Sequence, residues 1–205
     1  GLALKAIQLE QEILKESVGS QDQMAAAHGG LNVIRFCEDG SINAEPVDIS
    51  QARIAELESH LMLVYTGTNR LASEVASRVT ANFPNKTAAL ARMRQMVDEG
   101  ASLLQGDGNL DGFGELLHEG WTLKRSLAEG VTTSQIDDIY EAARSQGAIG
   151  GKLLGAGGGG FMLFFVPPEK QEQVRQALDR YLSVPFSFEH TGSTIIYNDR
   201  GERNP

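Results

Sequence analysis

The stretch from Gly147 to Gly160, Gly-Ala-Ile-Gly-Gly-Lys-Leu-Leu-Gly-Ala-Gly-Gly-Gly-Gly, constrains this chain most, because eight of its fourteen residues are glycine. Glycine loses more backbone freedom on ordering than any other residue. So dense a run belongs in a fold only where φ must be positive or where something approaches the backbone closely. A flexible linker would carry Ser and other polar residues. This run instead embeds Lys152-Leu-Leu154 and leads into the apolar Phe161-Met-Leu-Phe-Phe-Val166, which reads as a strand. A loop facing a phosphate or a substrate is the expectation. Two such loops are excluded by their order. Gly155-x-Gly157-x-x-Gly160 has the spacing of a dinucleotide fingerprint, which needs a strand before it and a helix after it; here the helical pattern comes first. Lys152 is followed by Leu153, so the Ser or Thr of a Walker A loop is also absent.

Composition narrows the partners. At 205 residues the chain can bury one large core or two small ones. A net charge of −9 argues against a general nucleic-acid role and against an anionic membrane surface, though a local cluster of Lys and Arg can still hold an anionic substrate. No apolar run has the length of a membrane span, and the N-terminus opens on an amphipathic helical pattern rather than a signal peptide. The single cysteine, Cys37, excludes an internal disulfide and a Cys-based zinc site. A cytoplasmic location, with no nucleic acid and no membrane as partners, is the expectation.

Along the chain, residues 2–16 predict one helix, with Leu2, Ala6, Leu9 and Ile13 at helical spacing. Ser20-Gln-Asp-Gln23 has the form of a capping box opening a short helix over 21–28. Asp22 then falls in the first turn, where free amides and the helix dipole favour a carboxylate; a plain helix-start Asp is the ordinary alternative. Residues 31–37 and 42–49 predict a hairpin turning on Asp39-Gly40. Residues 50–59 are polar and helical at most, with a domain boundary near them. His60–Tyr65 reads as a fully buried strand, and Thr66-Gly-Thr-Asn-Arg70 as the corner into a helix running to Val79.

Residues 86–105 and 109–129 form two long helical patterns broken at Gly106-Asp-Gly108. The stripes Leu90, Met93, Val97, Leu104 and Leu110, Phe113, Leu117, Trp121, Leu127 read as core. Lys124 and Arg125 are adjacent cations that either grip an anion or lie on the surface. Another helix runs from Ser134 to Gly147, and Pro168 opens the next, with Val174, Leu178 and Tyr181 as its stripe. Residues 185–189 and 193–197 look strand-like. Helices and strands alternate irregularly, with strands gathered late, so the fold class is α+β.

Gly-Gly-Lys-Leu-Leu-Gly-Ala-Gly-Gly-Gly-Gly before an apolar strand closely resembles the third motif of the GHMP small-molecule kinases. Leu14-Lys-Glu-x-Val-Gly-Ser-Gln-Asp-Gln23 resembles the family's sugar-kinase branch, in which an Asp before Gln faces the substrate hydroxyl. The resemblance runs from Glu10 to Glu189-His-Thr-Gly-Ser193, nearly the whole chain. It implies transfer of the ATP γ-phosphate to a hydroxyl of a small sugar or sugar phosphate, mostly by positioning and charge stabilisation. Asp22 is then catalytic, and Glu10, twelve residues before it, holds magnesium. Glu12 and Glu16 share that helix, and only the spacing of the resemblance singles out Glu10. Ser20, Arg70, Lys152, Gly155, Gly157, Gly158, Gly159 and Gly160 contact substrate or phosphate. Asp22 and the glycine loop are expected to meet across one cleft.

The family's Pro-x-Gly-x-Gly-Leu-x-Ser-Ser nucleotide loop lies upstream of that Asp, and no such segment occurs here. The resemblance therefore implies the C-terminal portion of such a kinase. Residues 1–57 would close an N-terminal S5-like α/β domain, and residues 58–205 would form the C-terminal domain, an antiparallel sheet covered by helices. Its partner would be the missing N-terminal part, with a homodimer left open. Alone, the chain is expected neither to bind ATP tightly nor to phosphorylate sugar. A non-catalytic sugar sensor on the same fold is the alternative.

Overall fold

The structure, a computed structural model, describes residues 1–16, 18–68 and 72–196. Helix α1 (Leu2–Gln8) widens into a π-helical turn over Leu9–Ile13, so the single α-helix expected for residues 2–16 is divided. The Leu14 N–H reaches back five residues to the Leu9 carbonyl at 2.9 Å, the signature of that wider turn. Helix α2 (Gln21–His28) leads to strands β1 (Asn32–Phe36) and β2 (Ile42–Pro46), paired antiparallel around Asp39-Gly40. Gly40 sits at φ +81°, and the Asp39 carboxylate accepts from the Ser41 amide at 2.9 Å, which closes the turn.

Residues 50–59, read from sequence as helical at most, contain a well-formed α3 (Gln51–His60), capped by Ser50 Oγ accepting from the Arg53 amide at 3.2 Å. The boundary drawn between residues 57 and 58 falls inside this helix. Strand β3 (Leu61–Tyr65) starts one residue later than expected and is buried on one face: Met62 and Val64 are covered, while Leu61, Leu63 and Tyr65 are half-buried. Helices α4 (Ala72–Ala81), α5 (Thr87–Gln105), α6 (Asp111–Arg125) and α7 (Ser134–Ser145) follow, then β4 (Gly150–Leu153), β5 (Phe161–Phe165), α8 (Gln171–Ala177) and β6 (Leu182–Val184). Thr133 caps α7 by accepting from the Ile136 amide at 3.3 Å.

The main sheet has the order β4-β5-β3-β6, every neighbour antiparallel. The strands expected at 185–189 and 193–197 do not form; residue 197 lies outside the described residues. Val184 pairs with Leu63, but the next residue, Pro185, has no N–H to extend the ladder. The chain leaves the sheet there and crosses to the N-terminal elements. The Phe188 amide donates to Glu58 Oε1 at 2.6 Å, and the Gly30 amide to the Glu189 carbonyl at 2.7 Å.

Alternate residues of β5 serve opposite faces. Phe164 packs in a cluster with Trp121, Tyr140 and Val174, whereas Phe165 packs with Leu57, Leu104 and Leu110. Helix α6 comes onto β4 at backbone contact: a Cβ on Gly150 would lie 1.9 Å from the Gly114 carbonyl oxygen. Gly150 therefore serves packing, although the glycine run suggested a ligand-facing role for the whole stretch. The fold is α+β, an antiparallel sheet with helices packed on it.

Candidate active site

Glu10 lies in the π-helical turn, and Asp22 in the first turn of α2. The two helices are tied by side chains. Gln23 Nε2 donates to Glu10 Oε2 at 2.5 Å, and Gln11 Nε2 donates to the Val18 carbonyl at 2.9 Å and to Ser20 Oγ at 3.1 Å. These bonds replace the expected capping box. Ser20 has φ −108° and ψ 4°, not the extended conformation that aims a cap at the helix amides, and its hydroxyl makes no cap bond. Both box residues turn to the preceding helix instead, because α1 folds back over α2 and offers them partners.

An open cleft of about 530 Å³ lies between the two helices, lined by Ala6, Glu10, Gly19, Asp22, Gln23 and Ser193 among others. The C-terminal segment closes one side: Ser193 Oγ donates to the Ala26 carbonyl at 3.0 Å. Gly29 and Gly192, both at positive φ, allow that approach, since a Cβ on Gly29 would sit 2.1 Å from the Gly192 nitrogen. The Asp22 carboxylate is exposed to the cleft. Gln23 Oε1 is buried there without a hydrogen-bond partner. A buried acceptor left open beside the Glu10 carboxylate is what a hard cation or its water shell would satisfy. Among the described residues no group of three or more His, Cys, Asp or Glu could hold a metal ion. A magnesium ion that keeps its waters and phosphate ligands needs no more than one or two protein oxygens.

The glycine loop is shorter than the sequence run, because Gly150–Leu153 is strand β4. What remains, from Leu154 to Gly160, is bound to its surroundings. The Gly158 amide donates to the Val131 carbonyl at 3.0 Å, and the Gly160 amide to the Thr68 carbonyl at 2.9 Å and to Thr66 Oγ1 at 3.1 Å. Gly157 (φ +129°) has no room for a Cβ, which would meet the Val131 backbone at 2.9 Å; Gly159 would likewise meet the Thr68 carbonyl at 2.6 Å. Gly155 (φ +70°) and Gly160 (φ +105°) face open space. Among the described residues, the amides of Gly155, Ala156, Gly157 and Gly159 donate to no protein acceptor. Of those four residues, Gly155 is the exposed one.

Lys124, at the end of α6, reaches across to the loop and donates to the Leu153 carbonyl at 3.1 Å and the Gly155 carbonyl at 2.6 Å. Burial, then the nearby Lys152, pulls its pKa down to about 8. Lys152 is also lowered by burial. Arg125 pairs with Asp137 at 3.2 Å, so both cations of Lys124-Arg125 are engaged within the fold. Arg70 lies outside the described residues.

Asp22 and the glycines do not line one cleft: Gly155–Gly160 border neither the Glu10–Asp22 cleft nor a second cavity of about 440 Å³. The link between the two regions is indirect. Gln21, beside Asp22, and Lys152, at the front of the loop, both line that second cavity. Gln23 and Thr66 were not singled out as site residues in the sequence. Gln23 was visible only as half of a capping box, and the role of Thr66 depends on a partner 94 residues away.

Comparison with known proteins bears on the fold of the chain. Residues 100–184 match the family model described as GHMP kinases C terminal. A D-glycero-alpha-D-manno-heptose 7-phosphate kinase of Campylobacter jejuni is 31% identical over 193 residues, 93% of this chain and 56% of that protein. The bifunctional fucokinase/GDP-fucose pyrophosphorylase of Arabidopsis thaliana is 27% identical over 178 residues, 83% of this chain and 17% of that protein. The crystal structure of a D-glycero-D-manno-heptose 1-phosphate kinase from Bacteroides thetaiotaomicron matches with a TM-score of 0.70 at 26% identity, covering 93% of this chain and 52% of that one. The chain thus spans about half the length of the heptose phosphate kinases it resembles. Residues 100–184, which carry the glycine loop locked against Thr66 and Val131 and the strands β4, β5 and β6, thus match the C-terminal domain of the GHMP kinases.

Proposed function

We propose that this chain is the C-terminal portion of an ATP-dependent sugar kinase that phosphorylates a hydroxyl of a heptose phosphate, D-glycero-D-manno-heptose 7-phosphate being the favoured acceptor. The observation that carries the reading is the Gln23–Glu10 bond, which brings the Glu10 carboxylate and Asp22 to the walls of one cleft. Asp22 orients the acceptor hydroxyl and accepts its proton as the phosphoryl group transfers. Glu10, with the open Gln23 Oε1 beside it, holds magnesium, which when bound neutralises charge on the ATP phosphates. Ser20, Arg70, Lys152 and the free amides at Gly155, Gly157 and Gly159 bind the sugar phosphate or the transferring group. Gly158 and Gly160 contribute by shaping the loop, since their own amides are spent inside the fold.

In this reading residues 1–57 complete an N-terminal domain and residues 58–205 form the second, and ATP is held mainly by a part upstream of Gly1. Fucose is the alternative acceptor, favoured by the 27% identity to the Arabidopsis fucokinase. The test is a coupled ATP-consumption assay on the 205-residue chain and on a form extended at its N-terminus to the length of the Campylobacter relative, with heptose 7-phosphate and with fucose. The extended form should phosphorylate the heptose phosphate, and Asp22→Asn should lower its kcat by about 10²–10⁴-fold. Turnover by the 205-residue chain alone would remove the C-terminal-portion reading. No turnover of either acceptor by the extended form would remove the acceptor assignment.

A further inference from the structure

The second cavity is built unlike a sugar site. It follows one stripe of α6, Phe113, Leu116, Leu117, Gly120, Trp121 and Lys124, which spans about 16 Å at 1.5 Å per residue. The facing wall is the matching stripe of α5, with Met96 near Gly120 and Gly100 near Phe113. The hairpin covers it through Leu31, Val33 and Val47. Among the described residues most of the wall is hydrocarbon, and Gln21 and Asn32 are its uncharged polar side chains apart from the Trp121 indole. At the Lys124 end two ammonium groups converge, and Lys152 makes no hydrogen bond or ion pair among the described residues. No Asp or Glu lines the cavity, in a chain whose net charge is −9. Trp121, one position on from Gly120 in that stripe, is 1% exposed, yet its indole Nε1–H is buried without an acceptor among the described residues.

A buried orphan donor, an unpaired cation and an apolar trough form one constellation lacking its counterpart. We infer that this cavity binds a small amphipathic anion, a phosphate or carboxylate head on a short apolar body. The head is held by Lys152 and Lys124, within reach of the Trp121 end, and the body lies along the Met96–Phe113 wall. The volume, about 440 Å³, lies in the range of small-molecule sites, roughly 300–1,000 Å³. Burial lowers both lysines, and Lys152 lowers Lys124 further; an anion there would stabilise their charged forms. Lys152 stands at the front of the glycine loop, so occupancy competes for a cation that the kinase reading assigns to the sugar phosphate. Binding itself does not rest on that reading, since no nucleotide or acceptor takes part.

The chain has one tryptophan, and it lines this cavity, so intrinsic fluorescence reports occupancy directly. Titrating the 205-residue chain with octyl phosphate at pH 7 should shift or quench Trp121 emission saturably. Inorganic phosphate alone and 1-octanol alone should each bind at least tenfold more weakly. Lys152→Met should weaken octyl phosphate at least tenfold, and Lys152→Arg should retain it. Gly120→Leu, which fills the trough beside Trp121, should abolish it while circular dichroism shows the fold retained. Raising the pH from 7 to 9 should weaken binding as Lys124 loses its proton. No saturable change in emission at millimolar octyl phosphate would overturn the proposal. So would equal affinity of Lys152→Met and the unaltered chain, or equal affinity for octanol and octyl phosphate.

Discussion

The N-terminal helices and the sheet core carry complementary halves of the candidate site, and they are held by different forces. In α1 and its π-helical turn only Ala3 is buried, while Leu2, Leu9, Ile13 and Leu14 are between 48% and 67% exposed. Glu10 and Asp22 are therefore positioned by polar side-chain ties, chiefly Gln23 to Glu10 and Gln11 to Ser20. The glycine loop is seated on fully buried residues such as Val131, Leu153 and Met162, and close backbone contacts at Gly157 and Gly159 hold its middle in place. A loop built into the core cannot move without cost; a carboxylate held by one glutamine amide, as Glu10 is by Gln23, can. The geometry of the loop is intrinsic to this chain, whereas that of the carboxylates depends on a few partly exposed bonds.

The sharpest way to break this contrast is truncation of matching apolar residues. Phe164→Ala should lower stability by about 3–5 kcal/mol in a denaturant titration, and Ile13→Ala should stay within about 0.5 kcal/mol. Equal losses would mean that the N-terminal helix is as firmly packed as the sheet. Next, the glycines should separate by role. Gly150→Ala forces a methyl group into the Gly114 carbonyl and should cost about 3 kcal/mol. Gly155→Ala meets no neighbour and bears only its positive φ, about 1 kcal/mol. Thermal melting reads both, and a reversal of that order would place the steric demand in the loop rather than at the helix crossing.

A smaller effect is expected from pH. The Lys124 pKa is about 8 in the fold against the ordinary 10.5. Between those values the unfolded chain binds a proton that the folded chain does not, so stability should rise from pH 8 to pH 10, by about 1–2 kcal/mol. Lys152, lowered in the same direction, adds to the rise. Tyr140, pushed up by burial to about 12, opposes it only above pH 10. Lys124→Met should flatten the curve; an unchanged slope would show that neither fold nor loop senses this proton. The smallest effect is the tie itself. A double-mutant cycle of Glu10→Met and Gln23→Met should give a coupling of about 1 kcal/mol, and a value of zero would remove the bond as the positioning device.

Much of this was legible in the residues, and the exceptions have a common cause. The helices over 87–105, 111–125 and 134–145 followed from apolar spacing, and the hairpin from Asp39-Gly40 between apolar runs. The capping box failed because its two side chains found better partners on another helix, which local pattern cannot foresee. The late strands failed because Pro185 stops one ladder, while Glu58 and Gly30 lie where the released chain can bond. The α6 stripe was read as core and packs there, but on α5 the buried residues are Met96, Gly100 and Leu104, while Leu90 and Met93 are half-buried and Val97 is 46% exposed. Spacing could not say that Gly100 and Gly120 leave room for a cavity between them.

By itself the sequence determined the α+β class and the two motifs with their order, because each is written in residues close together along the chain; Glu10 was a candidate only through the family resemblance. Tertiary structure alone decided which glycines serve a ligand and which serve packing. It also decided that Lys124, read as gripping an anion or lying on the surface, anchors the glycine loop, and that Trp121 lines an apolar trough with two lysines. Those outcomes depend on distances between residues far apart in the chain, and a backbone contact such as Gly150 against Gly114 exists only once helix and strand have met.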